Sequence, residues 1–294
     1  MVDIDTTHGT ARLENTLPNR GKPILFVHGF NSSSEIWLDG DETNLGNEDE
    51  IGFVSIASEQ DYDSWILDLS DPITGDIRKL ATEDLHQAIQ FIWKQKKKKI
   101  RLVCHSMGGL LARIVTTENL VPEIPAFLSS PHLDEVVLLA TPNHGYSPGG
   151  ILSRIDSEWV RVAERALESL GWESLLHTTE RPFFQMLKGT DLLTRLNNNP
   201  PLCPQLSWRN GVALEDLVVP PESAMFGLTE IQSIPRFEQQ LFHAGHMEGR
   251  TQWQTMPKDL REWLKRNLGF KLEYLEYPPI YRSREVAKWI FAES

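Results

Sequence analysis

Cysteine is scarce: the chain has 294 residues and 2 cysteines, Cys104 and Cys203. That is too few for a disulfide framework. Cys104 sits in an apolar run, so a buried, reduced thiol is expected there. Basic residues are also short, with 29 Lys and Arg against 41 Asp and Glu, a net charge of −12. A nucleic-acid binder needs a basic face, and an anionic membrane repels an acidic protein, so both are disfavoured as main partners. No apolar run is long enough to cross a bilayer. Residues 1–20 are polar, carry Asp3, Asp5 and Glu14, and lack the apolar stretch of a secretory signal, so a cytoplasmic location is expected. There is no Gly-rich phosphate loop and no dinucleotide fingerprint. The histidines lack the paired helical spacing or cysteine partner of a metal site, so no metal and no cofactor is expected.

What the chain does have is a core: 40% of its residues are hydrophobic and 24% charged, an ordinary globular balance. Pro23-Ile24-Leu25-Phe26-Val27, Trp65-Ile66-Leu67-Asp68-Leu69, Ile100-Arg101-Leu102-Val103-Cys104 and Val136-Val137-Leu138-Leu139-Ala140 read as strands covered on both faces. Helices are predicted over roughly 51–58, from Ile77 or Thr82 to Lys96, and from Leu110 onward, on apolar positions at helical spacing. Lys96 to Lys99 reads as a solvated cluster matched to a helix C-terminus. Strand and helix alternating at these lengths imply a mostly parallel sheet with helices on both faces, an α/β class. Residues 1–20 read as a lead-in with one short edge strand. Gln205 to Asn210 reads as a further short strand, and Pro257 to Leu268 as a closing helix. Residues 146–204 carry an apolar helical stripe (Ile155, Trp159, Val162, Ala163, Ala166, Leu170) and are too long for a plain connection. They read as a helical cap inserted into a core domain made of 1–145 and 205–294.

Ligands of such sheets bind beyond the C-terminal strand ends. Ser106 falls at one of these ends, in Cys104-His105-Ser106-Met107-Gly108-Gly109, where a strand turns sharply into a helix. That is the nucleophile-elbow pattern G-x-S-x-G with Cys104 in the first glycine position. A serine hydroxyl needs a base, and the base needs a carboxylate to orient it. Asp216 and His246 follow Ser106 in the chain order expected for a triad on this kind of sheet. The amides of Met107 and of Phe30, in the loop after the first apolar strand, are the candidate oxyanion donors. Asn31 and His105, beside these positions, and Asn143, just past the end of the strand Val136 to Ala140, are the candidate substrate-binding residues. His243 competes with His246 as base, and Glu215 with Asp216 as acid. His28 reads as a brace for its own loop, and Asp68 and His144 as turn residues.

These pieces together resemble the α/β-hydrolase superfamily of the lipase and esterase type. The matching stretches are Val27-His28-Gly29-Phe30-Asn31, Val103 to Gly109, Ala140-Thr141-Pro142-Asn143-His144-Gly145, Asp216-Leu217-Val218-Val219-Pro220 and Gly245-His246. Lys188 to Asn197 is similar to a cap element of bacterial lipases and GPI inositol-deacylase-like proteins. The resemblance implies an α/β-hydrolase fold and a serine hydrolase that cleaves carboxylic esters through an acyl-enzyme, with Ser106 as nucleophile, His246 as base and Asp216 as acid. The expected partner is a small-molecule ester with an apolar acyl or alcohol group. An acyltransferase using the same residues and a low-turnover binding scaffold are the alternatives.

Overall fold

The computed structural model describes residues 1–6, 9–18, 21–30, 32–38, 50–69, 76–117, 130–145, 185–198, 202–216, 218–232, 234–246, 262 and 277–292. Its strands are β1 (Val2–Thr6), β2 (Gly9–Leu17), β3 (Lys22–Val27), β4 (Tyr62–Asp68), β5 (Ile100–His105), β6 (Leu133–Leu139), β7 (Ser207–Ala213) and β8 (Phe237–Phe242). They form one sheet in the order β1-β2-β4-β3-β5-β6-β7-β8. From β4 to β8 every neighbouring pair is parallel. β1 and β2 add an antiparallel hairpin at one edge.

The apolar runs form central strands because each face of the sheet is covered. Leu25, Val27, Leu102, Cys104 and Leu138 point to one side, against Leu80, Leu85, Ile89, Leu110 and Leu111. Phe26, Val103, Val137 and Leu139 point to the other, against Trp37, Phe53, Val54, Ile280, Val286 and Ile290. The first layer consists of the segments Ile77–Lys79, Leu80–Leu85 (a π turn) and His86–Lys96, followed by the helix Met107–Thr116. The second consists of the helices Phe53–Glu59 and Arg284–Phe291.

Two readings of the sequence change, and one strand has no counterpart among the expected elements. Residues 1–20 hold two strands rather than one: Ile4, Ala11 and Leu13 are buried between exposed polar neighbours, the period of a half-covered edge. The lysine cluster is not simply solvated, since Lys96 pairs with buried Asp63 at 3.0 Å and Lys98 donates to the Gly21 carbonyl at 3.2 Å. β8 is an edge strand that the polar run Glu238-Gln239-Gln240 conceals. The closing helix expected over 257–268 lies outside the described residues apart from Glu262, as does most of the cap expected over 146–204. Within that stretch, 185–198 and 202–204 are described, including the helix Asp191–Asn197. Among the described residues no helix is long and apolar enough to cross a membrane.

Candidate active site

The parallel strands all end on the same side of the sheet, and their trailing loops meet there. β5 ends at His105, and Ser106 turns the chain at φ 53° and ψ −123° into the helix Met107–Thr116. Two backbone hydrogen bonds hold the turn: the Ser106 N–H donates to the Leu139 carbonyl at 2.9 Å, and the Gly109 N–H donates to the Ser106 carbonyl at 3.0 Å. Glycines permit the crowding around it. A Cβ on Gly108 would lie 2.7 Å from the His28 carbonyl oxygen and 2.8 Å from that of Val27. A Cβ on Gly29 would lie 2.8 Å from the Ser106 Cβ. The loop after β3 and the elbow after β5 are thus in direct contact. Cysteine at 104 is compatible with the turn because its side chain points into the core below, fully buried, between Val27 on β3 and Leu138 on β6. Burial pushes its thiol well above the ordinary range.

β7 runs into Asp216 and β8 into His246. The Ser106 hydroxyl lies 3.0 Å from His246 Nε2. His246 Nδ1 lies 2.7 Å from Asp216 Oδ2. The other carboxylate oxygen, Oδ1, accepts from the Val218 and Val219 N–H groups at 2.8 and 2.7 Å. That leaves Oδ2 for the ring, which fixes Nδ1 as the protonated nitrogen and Nε2 as the acceptor facing the serine. All three side chains are buried. Met107 opens its helix, so its N–H is among those no helical carbonyl can take. Phe30 packs against the core beside the elbow.

The remaining candidates separate. His28 braces its loop: Nδ1 donates to the Gly29 carbonyl at 2.8 Å and Nε2 accepts from the Leu69 N–H at 3.0 Å. Asp68 accepts from the Ser34 N–H at 3.2 Å, a turn role. Asn31 lies outside the described residues. Asn143 is not offered to a ligand; it is fully buried, its amide donates to the Ala224 carbonyl at 2.7 Å, and its Oδ1 accepts from Arg113 at 3.2 Å. His105 packs beneath His246, with ring centroids 4.7 Å apart, rather than lining a substrate path. Its burial holds the imidazole well below the ordinary range, so the ring is neutral. His144 faces Glu230 at 3.4 Å. Sequence reasoning missed Arg113, a fully buried guanidinium that also donates to the Leu196 carbonyl at 2.9 Å and to Asn197 Oδ1 at 2.7 Å. A single arginine in the apolar stripe of the helix Met107–Thr116 was its signal. Among the described residues no group of three His, Cys, Asp or Glu side chains could hold a metal ion.

His243 and Glu215 form a second pair beside the first, 2.8 Å apart, with His243 exposed. The hydrogen bond and charge of Glu215 raise the His243 imidazole above its ordinary 6.5. The folded state therefore favours the protonated ring. The contribution of the pair is fully present below pH 6.5 and is lost as pH rises through the raised value. Thermal melts of Glu215→Gln should thus fall below those of the unaltered protein by most below pH 6.5 and approach them as pH rises through the raised value.

A family model described as "Alpha/beta hydrolase family" matches residues 24–279. No curated protein matches the chain. Among solved structures, an esterase of Pyrococcus furiosus is 16% identical, with 90% of this chain and 89% of that one covered at a TM-score of 0.51. Lipase B of Aspergillus fumigatus is 13% identical, with 79% of this chain and 48% of that one covered at a TM-score of 0.50. A deformylase of Pseudomonas putida is 18% identical, with 83% and 93% covered at a TM-score of 0.48. At these identities the likeness is one of fold.

Proposed function

Because the chain belongs to the alpha/beta hydrolase family, we propose that it is a serine hydrolase that cleaves carboxylic esters. The observation that carries this reading is the continuous hydrogen-bonded run from the Ser106 hydroxyl through His246 to Asp216, 3.0 and 2.7 Å long. Nε2 of His246 takes the hydroxyl proton as Ser106 Oγ bonds to the ester carbonyl carbon. The positive charge left on the ring is stabilised by the Asp216 carboxylate. The carbonyl oxygen becomes an oxyanion facing the amides of Met107 and Phe30, each donor contributing about 2.7–4 kcal/mol in the transition state. Collapse of this intermediate breaks the ester C–O bond, and His246 returns the proton to the leaving alcohol. Water, deprotonated by the same imidazole, then attacks the acyl-serine and releases the acid.

The esterase and lipase names of two structural neighbours favour an ester substrate, and the apolar stripe within 146–204 favours a greasy group in it. Two measurements test the reading: labelling of Ser106 by a fluorophosphonate, and hydrolysis of p-nitrophenyl esters over a series of acyl chain lengths. Labelling with turnover rising toward longer chains is expected. A protein that is neither labelled nor active on any ester is a binding scaffold. Product partitioning to an added alcohol in preference to water makes it an acyltransferase.

A further inference from the structure

Residues 277–291 run back across the sheet to the loop that carries His246. The Gly245 N–H donates to the Pro278 carbonyl at 3.0 Å, and the Ile280 N–H donates to the Gly245 carbonyl at 2.9 Å. The residue before His246 is therefore bonded on both its polar backbone groups to this one segment. One residue further, the Tyr281 ring stands edge-on to His105, centroids 4.7 Å apart at 70°. His105 in turn stands 4.7 Å from His246. Three rings thus pack in series from the C-terminal segment to the imidazole that meets Ser106, with the buried Trp37 ring 6.2 Å from Tyr281.

The far end of the segment is tied as firmly. The helix Arg284–Phe291 buries Val286, Ala287 and Ile290. Its last carbonyls accept from two guanidinium groups: Arg101 bonds to Ile290 at 2.9 Å, and Arg209 bonds to Trp289 at 2.5 Å. Cations at a helix C-terminus are favoured by its dipole. Glu135 pairs with both arginines from the neighbouring strand and compensates their burial. The match to the family model ends at residue 279, so Tyr281 and the helix lie beyond the part the chain shares with it.

We propose that this C-terminal strap positions the imidazole of His246, with Tyr281 acting through His105 as a positioning residue; the role rests on the serine-hydrolase reading. An imidazole without backing can swing on its loop, and a displacement of 1 Å at a reacting group can cost on the order of a hundredfold in rate. Tyr281→Phe keeps the ring, and Tyr281→Leu keeps apolar volume while removing the flat edge. Relative to the unaltered enzyme, Tyr281→Phe should retain kcat. Tyr281→Leu should lower kcat and the rate of fluorophosphonate labelling by about tenfold, an effect of that misplacement on the reacting step with KM unchanged. Tyr281→Ala should be slower still, and the Leu variant keeps the test open if the Ala variant does not fold. Lys288→Ala, on the exposed face of the same strap, should change neither quantity. A Leu variant within twofold of the unaltered kcat overturns the proposal, as does a rise in KM with kcat preserved. The low-field proton resonance of His246 Nδ1–H reads the same positioning without turnover: it should stay sharp in the Phe variant and broaden in the Leu variant. An unaltered protein that neither labels nor turns over sinks the hydrolase reading alone, and the resonance then decides the strap; an unchanged resonance in the Leu variant overturns it.

Discussion

Replacing Ser106 by alanine is expected to lower kcat for a p-nitrophenyl ester by about a million-fold, and adding His246→Ala should lower it no further. In the serine-hydrolase reading the two residues make one proton-passing unit through their 3.0 Å contact, so the second loss removes nothing that the first has left working. Asp216→Asn should cost about ten-thousand-fold by a different route. The Val218 and Val219 N–H groups both point at Asp216 Oδ1. An asparagine must keep its carbonyl oxygen toward those donors, which turns its NH2 toward His246 Nδ1. Two donors then face one another unless the ring proton moves to Nε2, and the nitrogen facing Ser106 can no longer accept. Steady-state kinetics on these three variants and on the single His246→Ala variant check this. Additive losses for Ser106 and His246, or an Asp216→Asn enzyme slowed less than tenfold, would count against the assignment.

The second large effect is mechanical. Alanine at Gly108 or Gly109 gains about 1 kcal/mol of helix propensity, and overpacking of a tight core typically costs about 1–3 kcal/mol. At Gly108 the added methyl meets carbonyl oxygens at 2.7 and 2.8 Å. Those atoms belong to the backbone and cannot rotate away, so the helix itself must move off β3. At Gly109 the methyl would sit 1.9 Å from Thr141 Oγ1, a side chain that can be cut back. Both variants should therefore lose stability in urea titrations and most of their activity, with Gly108→Ala at or above the top of the cost range. Thr141→Gly should rescue Gly109→Ala and leave Gly108→Ala unrelieved. Equal rescue of both would mean that the helix shifts freely, contrary to the contacts.

The central strands and the Ser106 turn were legible because each rests on a local pattern, an apolar run followed by a small-residue turn; Asp216 and His246 rested on their order after Ser106 and on the family resemblance. The competition between His243 and His246 was not decidable from spacing, since both lie near a glycine. The structure separates them, with His246 turned inward to Ser106 and His243 turned outward to Glu215. Asn143 misled because a polar residue after a strand end looks ligand-facing. Its partners, Arg113 and the Ala224 carbonyl, are distant in sequence. The sequence shows only one short edge strand within 1–20, not the β1–β2 hairpin, because Asp3, Asp5 and Glu14 mask the alternation of Ile4, Ala11 and Leu13. Tyr281 was invisible for the deeper reason that a ring contact across so many residues leaves no periodicity in either segment.

The backbone torsion of Ser106 also sets durability against reactivity at a single amino acid. A side-chain-bearing residue in that region of conformational space costs on the order of 1–3 kcal/mol, and the residue most at ease there, glycine, lacks the hydroxyl on which the proposed reaction depends. The rest of the fold must supply the cohesion that this corner gives up, and the bonds from Ser106 to Leu139 and from Gly109 to Ser106 are where that cohesion reaches it.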